Sequence, residues 1–400
     1  MTDMPMDVES FVIAVNSRLD RSIRVLTERR HWTFVVGAVA IVISLVAYTP
    51  VKSMFDLRTN WAWEVYRMQV AHPLTPIDLQ QFEAIAAHTS DFSAEPDQLG
   101  RLAHLEKLAF RISIPIIGKL LHTGAASWVV LNFIAGFLFF PMLASVANTL
   151  LDDRVSAAYL TIAFALSWAG THFFHDSGFG DGFAWFCLLA AVYFRHPLLI
   201  FAAVLVAGFT DERALAGSGA VLLYWFADAT AHDRKSVGYD GSARLAAVIA
   251  AWLAYLILRW YLSSAFGLKT GLTGVGVIEA ARFFLSFSIP YQLLDVFQGL
   301  WIWIIVAMIA LYVTGRRIFL VGFAGTLGSI LAIAIVVWDF SRSVGYSVAL
   351  LPVAWQVQSL KATNTRTLAR ICFVLGLCLV VPGNTVFRQL VHLAALLGSG

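Results

Sequence analysis

Charge is what this sequence has least of. Only 13% of its 400 residues are Asp, Glu, Lys or Arg, about half the share with which a soluble domain covers itself. Mean hydropathy is +0.75, and the apolar residues run in blocks close to the ~20 residues that cross a bilayer as one helix. A water-soluble globule is therefore excluded. Cysteine is scarce as well. Cys187, Cys372 and Cys378 fall inside apolar runs, where they read as small packing residues and not as a disulfide framework or thiolate metal motif. A net charge of +3, with no basic stretch interleaved with aromatics, argues against nucleic acid as a partner. No Walker A stretch is present, so ATP is not an expected fuel. Residues 1–31 are too polar for the apolar core of a cleaved leader.

What remains is an all-α, polytopic membrane helix bundle. Hydropathy predicts about eleven spans. An amphipathic helix over residues 1–31 places Phe11, Val15, Leu19, Ile23 and Leu26 apart from Arg18, Arg21, Arg24, Arg29 and Arg30, a pattern suited to lying on an anionic cytoplasmic surface. Residues 32–49 form the first transmembrane helix. Residues 50–122 form an extracytoplasmic loop with interfacial helices, and residues 123–400 a multi-span membrane domain. Arg154, Arg195, Arg234, Lys235, Arg316 and Arg317 fall in turns that are cytoplasmic if the N-terminus is, as the positive-inside rule requires. The C-terminus is then extracytoplasmic, and the membrane a bacterial inner membrane.

One stretch decides this arrangement. "GFTDERALAGSG", Gly208–Gly219, sets three charges between two apolar runs too short to span comfortably. A single helix over 197–227 would be about 46 Å long, with the charges near its middle, and would invert every later turn. A hairpin of two short helices keeps both basic ends cytoplasmic and sinks Asp211, Glu212 and Arg213 into an outer recess. Polar backbone at that depth is tolerated only against protein or water. The "GSG" at 217–219 fits close helix packing.

The same pattern recurs. "HFFHDSGFGDGF" puts Asp176 and Asp181 at the outer ends of short apolar runs, and "VVWDFSRSVGY" adds Asp339 and Arg342. The first span exits toward Asp56. Carboxylates far apart in sequence are thus expected to converge on the extracytoplasmic side. Each alone reads equally well as a solvated or capping group, but as a set, sunk by short helices, they need partners or work. "EKLAFRISIPIIGKLLH" is apolar for too few residues to span and reads as interfacial or re-entrant. It brings Arg111 and Lys119 to headgroup depth. His172 and His175, three residues apart on one helical face beside Asp176, are weak metal candidates, because no third ligand is marked by spacing.

"KLAFRISIPIIGKLL", "DGFAWFCLLAAVYFRHPLLIFAAVLVAGFTDERAL" and "DFSRSVGY" resemble bacterial polytopic membrane proteins that are in turn similar to the GT-C class of integral membrane glycosyltransferases. The resemblance implies a sugar donor on a polyprenyl phosphate and chemistry at the extracytoplasmic face in cell-envelope glycan synthesis. By it, Asp56 matches the first-loop catalytic carboxylate, although Leu57 and Arg58 follow where a second acid is common. Asp176 or Asp181 matches a second acidic site, holding acceptor or a divalent cation such as magnesium or manganese. Arg342, with Arg111 or Arg213, is expected to hold the donor phosphate, which arginine's planar fork suits. Asp211 and Glu212 join the catalytic set and Asp339 the substrate-binding set. Two other readings stay open: a lipid or small-solute transporter, and a non-catalytic component that assembles with envelope-synthesis partners.

Overall fold

The computed structural model describes residues 8–48, 67, 69–74, 110–175, 180–231, 241–268, 288–337, 340–359 and 365–383. Among them there is no strand, and every regular element is a helix. Two helices, α1 (Val8–Thr27) and α2 (Trp32–Tyr48), precede the short α3 (Ser113–Leu120) and the long α4 (Ala126–Leu151). Then come α5 (Arg154–Leu166), α6 (Trp168–His175), α7 (Asp181–Tyr193), α8 (Pro197–Thr210), α9 (Arg213–Ala231) and α10 (Gly241–Phe266). The last part holds α11 (Ser288–Phe297), α12 (Trp301–Val313), α13 (Arg317–Val337), α14 (Phe340–Gly345), α15 (Leu350–Ser359) and α16 (Thr365–Gly383).

Among the described residues, four segments are long and apolar enough to cross a membrane: Ala126–Leu151, Gly241–Phe266, Gln292–Val313 and Arg317–Ile335. The helices Arg154–Leu166, Asp181–Tyr193 and Pro197–Thr210 are apolar but shorter. The first two are also deeply buried: every residue of α5 from Val155 to Leu166 is inside the bundle, and ten residues of α7 are buried, whereas α10 and α13 present much of their surface outward, Leu256, Ile257, Ile318 and Val321 among them. A helix shielded by protein in this way need not match the bilayer thickness.

Glycine and serine set the closest approaches. Gly37 lies on Pro141 of α4, and a Cβ there would come within 2.6 Å of the proline ring. Ser44 donates to the Gly170 carbonyl at 2.9 Å. The "GSG" expectation holds: a Cβ on Gly217 would sit 2.6 Å from the Tyr346 carbonyl oxygen, and the Ser218 hydroxyl accepts from Trp252 Nε1 at 2.6 Å. Small residues substitute here for the hydrophobic drive that lipid does not supply.

Two expectations change in detail. The apolar run over residues 156–174, expected from its hydropathy to be one of the spans, is divided at Ser167, whose hydroxyl donates to the Phe164 carbonyl at 2.7 Å, into α5 and α6. The interfacial segment gives only the eight residues of α3. In it Lys119 is exposed and reaches the Ala71 carbonyl at 3.3 Å, while Arg111 just before it is buried. On α1, Ile23 is buried and Leu19 and Leu26 pack on the main core, with Arg18, Arg21 and Arg24 exposed.

Candidate functional site

The chain breaks at Asp211–Glu212, between α8 and α9, where the charge triplet predicted it. α7 and α8 pack together, and α9 touches both. This turn and the start of α7 are held at the N-terminal end of α4. The Phe183 N–H donates to Asn132 Oδ1 at 2.8 Å, and Gly180, with φ +73°, faces Ile114 and Trp128 so closely that a Cβ would lie 2.8 and 2.9 Å from them. Only glycine combines that left-handed backbone with that clearance. The turn it makes aims Asp181 inward.

Asp181 is fully buried and carries four partners. Its Oδ1 accepts from Arg213 Nη2 at 2.8 Å and from the Tyr346 hydroxyl at 2.6 Å. Its Oδ2 accepts from Arg342 Nε at 2.6 Å and lies 3.4 Å from His172 Nε2. Asp211, also fully buried, receives both the backbone N–H of Arg213 at 2.9 Å and its Nε at 2.8 Å on Oδ1. On Oδ2 it receives Arg213 Nη2 and Arg111 Nη2, each at 2.8 Å. Arg213 is the hub. It bridges both aspartates, donates from Nη1 to the Ser343 hydroxyl at 3.1 Å and lies 5.1 Å from the Tyr346 ring centroid. Glu212 stands at the edge, 30% exposed, with Oε2 3.6 Å from Arg111 Nε.

The charges are unevenly exposed. Three guanidiniums, Arg111, Arg213 and Arg342, face two fully buried carboxylates, and the third carboxylate is the one in contact with solvent. Each aspartate is saturated by cations, so neither is placed to take a proton. Desolvated charges of this kind persist only when so closely paired. Glu212 is the carboxylate of the group that another molecule can reach.

Arg111, Asp181, Asp211, Glu212, Arg213 and Arg342 therefore come together. Asp56, Asp176 and Asp339 lie outside the described residues. His172 meets Asp181 and stacks between Trp168 and Trp185, with ring centroids 4.7 and 5.0 Å away. The side chain of His175 is outside the description, and among the described residues no three His, Cys, Asp or Glu gather as a metal site.

Three participants carried no mark in the sequence: Tyr346, Ser343 and Arg259. The last is half-buried on α10, donates to the Tyr255 hydroxyl and stacks over Phe110, 4.2 Å from its centroid. Tyr255 in turn lies against Phe209, two residues before Asp211. A second small core of Phe110, Ile112, Phe209, Tyr255 and Leu262 thus flanks the charged cluster. The one available sign was Arg259 itself, the single charge in α10 after Arg244.

Compared with family models, curated proteins and solved structures, the chain matches none.

Proposed function

We propose that this chain is a GT-C-like glycosyltransferase of a bacterial inner membrane. It would take a sugar from a polyprenyl phosphate at the extracytoplasmic face, for cell-envelope glycan synthesis. The observation that carries the reading is the gathering of three arginines around two sealed aspartates, with one solvent-touching carboxylate, Glu212, beside them. In this reading the chain crosses the bilayer about eleven times, α1 lies on the cytoplasmic surface, the C-terminus is outside, and the Arg111–Arg342 cluster opens outward.

The chemistry follows from that arrangement. An acceptor hydroxyl oxygen attacks the anomeric carbon, the bond from that carbon to the phosphate oxygen breaks, and the polyprenyl phosphate leaves with the electron pair. Arg111 and Arg342 stabilise the charge that builds on the phosphate. The acceptor's proton passes to a carboxylate, Glu212 on grounds of exposure or Asp56 on grounds of resemblance. Asp181 and Asp211 are positioning residues, since their oxygens are committed to arginine. A divalent cation would need other ligands than these two, and Asp176 remains the acid to supply one. Saturation of the aspartates favours a second reading, in which the cluster only ties helices together in a non-catalytic envelope component.

Binding and transfer separate the two. Purified protein in nanodiscs would be titrated with a short polyprenyl phosphate and with the same polyprenol lacking phosphate. The phosphate should bind at least tenfold tighter, and Arg342→Gln should abolish that preference. With a panel of polyprenyl-phosphate sugars, Glu212→Gln or Asp56→Asn should lower transfer about a hundredfold or more while keeping the phosphate preference. Equal binding of phosphate and alcohol would overturn the proposal and leave the tie.

A further inference from the structure

At the other end of the molecule, α12 turns into α13 through Thr314–Arg316, with Gly315 at φ +68° making the reversal. α13 climbs from there over 21 residues, about 30 Å, to the segment that bears Arg342. At the foot of α13 the turn and the end of α9 enclose a groove of about 560 Å³, lined by Phe226, Thr230, Gly315, Arg316, Arg317, Ile318 and Phe319. Phe226 and Phe319 make its floor, 5.1 Å between centroids. Arg316 and Arg317 are exposed, and among the described residues neither has a carboxylate partner. Arg244, by contrast, holds Asp228 at 2.7 Å, and Arg366 and Arg370 hold Asp153 and Asp20.

We propose that this groove binds the headgroup of an anionic phospholipid. Its volume lies within the range of small-molecule sites. Two adjacent, carboxylate-free guanidiniums supply the charge for a phosphodiester. The residues around the groove select a lipid over a soluble anion. Tyr312, Val313, Ile318 and Val321 are all exposed on helices apolar enough to span a bilayer, so acyl chains can run along them while the phosphate stays at the arginines. The occupant is a lipid, one per chain, and its site is independent of the Arg111–Arg342 cluster.

The test is lipid exchange into delipidated full-length protein, read by native mass spectrometry and by the thermal unfolding midpoint. Phosphatidylglycerol should bind and raise the midpoint, and phosphatidylcholine should bind at least tenfold more weakly. Arg316→Gln and Arg317→Gln should each cost roughly fivefold and together roughly thirtyfold in phosphatidylglycerol affinity, from about one interfacial charge apiece. Both positions are exposed, so the double variant should fold with an unchanged midpoint in lipid-free detergent. Arg195→Gln, at a different turn, should leave phosphatidylglycerol affinity as it was. The proposal fails if the double variant binds phosphatidylglycerol like the parent, if phosphatidylcholine binds equally well, or if glycerol 3-phosphate alone gives the same shift.

Discussion

The molecule carries two charged networks, one at each end of α4, and they are built on opposite principles. At the α4 N-terminus, Asp181 and Asp211 are sealed from solvent and shared among three arginines. At the α4 C-terminus the pairs are one to one and wet. Arg366, 38% exposed, holds Asp153 at 2.8 Å, and Arg370 holds Asp20 at 2.7 Å, with the Tyr159 hydroxyl on the other oxygen. The wet pairs pin α1 and α16 to α5. Asp153 also caps α5, accepting from the N–H groups of Val155 and Ser156. Water already solvates these groups, so pairing adds little. The dry network has nothing but itself for solvation, so each member depends on every other. A helix bundle could be tied with the wet kind alone.

The sharpest way to break this contrast is to delete a dry carboxylate. Asp211→Ala strands Arg111 and Arg213 without their shared counter-ion and should lower stability by about 3–5 kcal/mol, measured by thermal unfolding in detergent. Replacing the pair together, Asp211→Leu with Arg213→Met, should restore much of that loss. If Asp211→Ala unfolds at the parent temperature, water reaches the site and the contrast collapses. Tyr346→Phe removes one neutral donor from the charged Asp181 and should cost about 1.5–3 kcal/mol, by the same measurement.

The smallest effect belongs to the wet end. Burial pushes the Asp153 carboxyl up, but hydrogen bonds and charge from Arg366, with the Ser156 hydroxyl, outweigh it and hold the group below the usual carboxylate range. A lowered folded-state pKa stabilises above the unfolded value of about 3.9 and loses that contribution as pH falls. Asp153→Asn keeps the cap and drops the charge, so it should cost roughly 0.5–1 kcal/mol near neutrality. The deficit should shrink as pH falls below about 4. Half-molar salt should shrink it too, while leaving the Asp211→Ala deficit nearly unchanged.

Legibility followed locality. The break at Asp211–Glu212 was readable because two apolar runs and three charges are adjacent in sequence, and the membrane character was readable from the whole composition. The end of α7 at Tyr193, the start of α8 at Pro197 and the packing role of Gly217 were local too. Arg342 and Asp181 were singled out as charges at helix ends, but their pairing spans 161 residues and has no local signature. Tyr346 and Ser343 look like ordinary residues of an apolar helix until Arg213 is placed among them. His172 was read beside His175 and Asp176 because the three are neighbours in the chain. In space its Nε2 lies 3.4 Å from Asp181, nine residues on. The break at Ser167 was missed because hydropathy runs through it unchanged; a single hydroxyl and a glycine make the corner.

The span between Asp181 and Arg342 also has a consequence in time. A ribosome adds about 5–20 residues per second, so the aspartate is made roughly ten to thirty seconds before its last arginine exists. α7, at 13 residues, is short for independent insertion. Until then Asp181 lacks Arg213, Arg342 and Tyr346, three of the groups that surround it in the finished fold. The interior of this protein is therefore completed from its C-terminal third.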